Sequence, residues 1–129
     1  MMQLPPQFDG FVLIAGEHEG LTWFVAHNKM CYRCGYVLVP PEHPWFGRLY
    51  EEIEADVHGG LTFAGPAGTW AWCVGFDCAH SGDAPDPDLP HYADMPLRFI
   101  FGQDGVIRST EYVEAECLKL CKQAALAQA

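Results

Sequence analysis

The chain has 129 residues, half of them apolar and 13% aromatic, with 7 Lys+Arg against 17 Asp+Glu for a formal charge of −10. That length and apolar content suit one packed domain and exclude a disordered chain. The acidic balance disfavours a non-specific nucleic-acid binder, which needs Lys and Arg to neutralise phosphates, and no apolar run reaches the ~18 residues that a membrane span requires.

In chain order, MMQLPPQFDGFVLIAG carries a short apolar patch without a basic start, so it does not read as a signal peptide. A cytoplasmic chain with reduced thiols is the expectation, and the six Cys then need burial, metal or reactivity to explain them. FVLIAG (11–16) and LTWFVAH (21–27), separated by EHEG, read as two strands. CGYVLVPP (34–41) reads as a third, stopped by its double Pro. HPWFGRLYEEIEAD (43–56) reads as a loop with a single helical turn, and its Trp45, Phe46 and Tyr50 as core plugs. GGLTFAG (59–65) and GTWAWCVGF (68–76) read as an antiparallel pair joined around GPAG. The Pro- and Asp-rich stretch 81–96 is the longest irregular segment, and 98–109 reads as a short hairpin. From Ser109 or Thr110 as cap, Val113, Cys117, Leu120 and Ala124 recur at helical spacing to the C-terminus. The whole is an α+β domain spanning residues 1–129: an antiparallel sheet of about five strands with one C-terminal helix packed on it.

Chemistry concentrates in GFDCAHSGD (75–83) and ADVHGG (55–60). Strand alternation puts Trp72, Val74, Phe76 and Cys78 on one face and Cys73, Gly75 and Asp77 on the other. Counting outward from a turn centred on 65–68 places His58 opposite Gly75 and Asp56 opposite Asp77. His58, Asp77, Cys78 and His80 then meet at one hairpin end. Imidazole, thiolate and carboxylate are zinc's usual ligands, so these four form a candidate zinc site. Asp56, Gly59, Gly60 and Asp83 are candidate ligand-binding residues, with the paired glycines allowing close approach. A Cys nucleophile with a His base, or a polar network tying the hairpin to its neighbouring loop, fits the same residues. The C-x-x-C of Cys31 and Cys34 is a weak second zinc signal, and His91 lies in a loop able to fold over the site.

GYVLVPPEHPWFGRLYEEIEADVHGGLTFAG, WCVGFDCAHSGD and STEYVEAECLKL resemble a group of small proteins encoded by bacteriophages and prophages. The resemblance implies an accessory protein that counters a host defence such as nucleotide signalling or CRISPR, and the residues at DVHGG and GFDCAHSGD point to one that works by binding a metal or small ligand. A zinc-dependent small hydrolase is the second expectation. The third is an acidic mimic of nucleic acid: residues 42–94 hold ten carboxylates and one cation, Arg48, a surface suited to a basic host protein.

Overall fold

The computed structural model describes residues 1–90, 92 and 105–127. Five strands form one antiparallel sheet: β1 (Val12–His18), β2 (Leu21–His27), β3 (Arg33–Val39), β4 (Phe63–Ala67) and β5 (Ala71–Asp77). Their spatial order is β1-β2-β3-β5-β4. A parallel pair, β6 (Asp83–Ala84) with β7 (Val106–Ile107), lies apart from it. Helix α1 (Thr110–Leu126) closes the chain and packs across β2 and β3. The expected α+β architecture is therefore the observed one. No helix among the described residues is long and apolar enough to cross a membrane.

The central strands are covered on both sides, which explains their nearly unbroken apolar runs. Trp23, Val25, Val37, Val74, Phe76 and Cys78 face α1, whose Val113, Cys117, Leu120, Cys121 and Ala124 fill the same layer. Phe24, Ala26, Leu38 and Cys73 point the other way, where the N-terminal segment covers them with Met2, Leu4, Phe8 and Phe11. The alternation along Trp72–Cys78 is as the pleat dictates. Ser109 caps α1, its hydroxyl accepting from the Tyr112 amide at 3.1 Å.

The hairpin register corrects the sequence reading. β4 and β5 pair Phe63 with Gly75 and Ala67 with Ala71, so the turn lies at 68–70 instead of GPAG. Gly68 supplies the left-handed residue there. Pro66 lies within β4, tolerated because β4 is an edge strand and loses no ladder bond on its open side. Extending this register brings His58 alongside His80, not Gly75. The expected 98–109 hairpin falls mostly outside the described residues. Its described end, Val106–Ile107, pairs in parallel with Asp83–Ala84.

Arg33, at the start of β3, ties the distal segments down. Its guanidinium donates to Thr110 Oγ1 at 2.9 Å and to the Arg108 carbonyl at 3.0 Å, and pairs with Asp86 at 2.8 Å. Of the three expected core plugs Trp45 is buried and Phe46 half-buried, while Tyr50 is exposed and corrects that reading.

Candidate functional site: a polar relay at the hairpin end

Val57–Gly60 form a tight turn in which the Gly60 amide donates to the Val57 carbonyl at 2.9 Å. This turn presents His58 between the loop after β5 and the first turns of α1. The His58 amide donates to Glu116 Oε1 at 2.7 Å, so the helix fixes the backbone. Both ring nitrogens are engaged. Nε2 lies 2.9 Å from Asp83 Oδ2, and Nδ1 lies 2.8 Å from the Tyr112 hydroxyl.

Asp83 is the hub. Its side chain is 1% exposed, yet it is fully supplied with donors. Arg108 Nε reaches Oδ1 at 2.9 Å, and the His80 amide reaches Oδ2 at 3.0 Å. Burial pushes the carboxyl up, but the hydrogen bonds from His58, Arg108 and the His80 amide outweigh it and hold Asp83 below its usual range. An ionised carboxylate only accepts, so the His58 proton belongs on Nε2 and the Nδ1 lone pair receives the Tyr112 O–H. Arg108 also stands 5.3 Å from the centroid of the Tyr112 ring.

The other expected residues divide into two groups. Asp77 belongs to a smaller cluster beside the relay. Thr62 Oγ1 donates to its Oδ2 at 2.9 Å, the Ala79 amide to Oδ1 at 3.0 Å, and His80 Nε2 stands 3.3 Å from Oδ1. The His80 ring lies 6.0 Å from that of His58 and covers Gly59. Asp56 is not brought to the site. Its backbone clasps Gln123 instead, the amide donating to Oε1 at 2.7 Å and the carbonyl accepting from Nε2 at 2.9 Å. Cys78 faces the core, and burial, reinforced by Asp83, Cys34 and Asp77 against Arg108, pushes its thiol up to about 12. A thiol held neutral there is a poor nucleophile.

Among the described residues no group of three or more His, Cys, Asp or Glu is placed to hold a metal. The zinc expectation at His58, Asp77, Cys78 and His80 has this physical correction. The donors of His58 are spent on Asp83 and Tyr112, and Cys78 points to the opposite side of the strand from Asp77. Cys31 and Cys34 are buried free thiols, with Cys31 Sγ donating to the Pro90 carbonyl at 3.4 Å. His91 lies outside the described residues.

Tyr112, Arg108 and Glu116 escaped the sequence reading. Tyr112 and Glu116 lie one helical turn apart, and that spacing on STEYVEAECLKL was their available signal. Comparison with protein-family models, with curated proteins and with solved structures returns no match to the chain.

A second feature lies at the far end of α1. A cleft of about 350 Å³ opens between the loop after β3 and the helix end, lined by Trp45, Arg48, Glu52, Ile53, Glu54 and Ala127. Beside it, Leu49 is 59% and Tyr50 40% exposed. Glu42, Glu51, Glu52, Glu54 and Asp56 are exposed on the same stretch of chain.

Proposed function

We propose that this protein works by binding, and that its target is a basic protein segment received by the acidic loop after β3. The observation that carries this reading is the cleft, where apolar Trp45 and Ile53 stand with the carboxylates of Glu52 and Glu54, two against the one lining cation Arg48. That combination complements an Arg or Lys side chain, whose apolar stem needs burial and whose charged head needs carboxylate oxygens. Exposed Leu49 and Tyr50 add the apolar contact area from which hot spots are built. In the phage setting that the sequence resemblance implies, the partner would be a host defence protein with a basic nucleic-acid-binding surface. Zinc has no part in this reading.

The test uses an Arg-rich peptide as probe, titrated into isotopically labelled protein and followed by NMR. Shift changes confined to residues 44–54 and the end of α1 are expected, with affinity lost on Glu52→Lys combined with Glu54→Lys. Binding that ignores this double reversal would overturn the proposal.

A further inference from the structure

We propose that Tyr112 carries an activated hydroxyl, deprotonated by His58 and acylated by neutral thioesters or aryl esters. This goes beyond binding by the acidic loop and is independent of it.

The geometry is that of a nucleophile, a base and an orienting acid. Asp83, buried and ionised, fixes the His58 ring from Nε2 at 2.9 Å. The opposite nitrogen, Nδ1, faces the Tyr112 hydroxyl at 2.8 Å. Such a chain of hydrogen bonds is the general signature of an activated hydroxyl. Glu116 locks the His58 backbone from the helix turn above Tyr112, so one element positions both members of the pair. Tyr112 is 37% exposed, so the relay ends at solvent and a substrate can reach it. Burial first, and then Glu116, push the phenol above its ordinary value, against the lowering effect of Arg108. The hydroxyl is therefore protonated at neutral pH and depends on His58 to take its proton as it reacts.

Charge selects the substrate class. Glu116 and Asp83 bear on Tyr112, and each is already paired with a cation, Asp83 with Arg108 and Glu116 with Lys119. With both cations bonded to carboxylates, a phosphate or other anion gains no free counter-charge from them, whereas a neutral acyl group needs none. Leaving-group chemistry narrows the class further. Tyr112 Oη attacks the carbonyl carbon while its proton passes to His58 Nδ1, giving a tetrahedral intermediate. The bond from that carbon to the leaving atom then breaks, and His58 returns the proton to the departing group. The products are an acyl ester of Tyr112 and a free thiol or phenol. The intermediate expels the less basic group, so the leaving group must be no more basic than a phenol of pKa about 10. A thiol at about 8.5 qualifies and an ordinary alcohol does not. Water attacking the acyl-tyrosine, with His58 again taking and returning the proton, would release the acid and restore the hydroxyl.

The experiment exposes the full chain to p-nitrophenyl acetate at neutral pH and locates acetyl groups by peptide mass spectrometry. Tyr50, of similar exposure on the acidic loop, is the internal reference. Tyr112 should acetylate at least ~100-fold faster than Tyr50, the lower end of general-base assistance. Tyr112→Phe should abolish that label, and His58→Gln should slow it by about the same factor while the protein stays folded by circular dichroism. Equal labelling of Tyr112 and Tyr50 in the unaltered protein overturns the proposal without recourse to any variant. Phosphorylation of Tyr112 by p-nitrophenyl phosphate would overturn the substrate class. Asp83 is a positioning residue acting through His58. Its readout is the His58 tautomer by nitrogen NMR, with the proton on Nε2 in the native chain and shifted toward Nδ1 in Asp83→Asn.

Discussion

At Gly59 two demands meet on one residue. The backbone lies at φ +69°, and a Cβ there would stand 2.2 Å from His80 Nε2. Gly60 has φ +79° but open space around it. Alanine at either position incurs left-handed strain of roughly 1–3 kcal/mol, and only Gly59→Ala also displaces the His80 imidazole. Gly60→Ala should therefore lower the thermal midpoint by several degrees, at ~4 °C per kcal/mol for a domain of this size. Gly59→Ala should lower it further and disturb the Asp83 contacts made through the His80 amide. Matched thermal melts of the two variants check this, and equal losses would show that His80 yields without cost. His80 thus serves as a spacer between the turn and the carboxylate hub, a role that no ligand-type reading of its imidazole anticipates.

Elements were legible from the chain where one period governs them. The apolar run of Trp23, Phe24, Val25 and Ala26 announces a strand, though not that both its faces are covered, and the spacing of Val113, Cys117, Leu120 and Ala124 announces the helix. The hairpin register was not legible, because Pro66 imitates a turn residue while lying in an edge strand. His58, Asp83 and His80 were picked out because two short motifs hold them, although their pairing depended on that register. Arg108 and Arg33 gave no local sign, since each acts across a long separation in sequence. Arg33 joins β3 to the start of α1 and to the loop after β6 through three polar contacts, with little solvent around either member of its ion pair. Arg33→Met keeps the apolar stem and leaves Asp86 without that partner. A loss of about 3 kcal/mol in urea unfolding is expected, the cost of stranding one member of a mostly buried pair. Hydrogen exchange should loosen most at 105–110, and uniform loosening of the sheet would argue against the clamp.

Across the whole molecule, salt acts in opposite senses on stability and on association. A formal charge of −10 makes the folded chain repel itself. An exposed ion pair such as Met1 with Glu17 contributes too little to offset this. Raising ionic strength from 0.01 to 0.15 M shortens the screening length from about 30 to about 8 Å, so the thermal midpoint should rise. Docking of a basic segment on Glu51, Glu52 and Glu54 relies on the attraction that the same salt removes, so its association rate should fall steeply. Reversing all three to Lys brings the formal charge to −4. The variant should melt higher than the native chain in low salt and bind an Arg-rich peptide more weakly, with acetylation of Tyr112 unchanged. Thermal melts and stopped-flow association across the salt range measure both effects. A variant that melts lower at low salt would show that the acidic loop does not strain the fold, and one that binds as fast as the native chain would show that it does not recruit the partner.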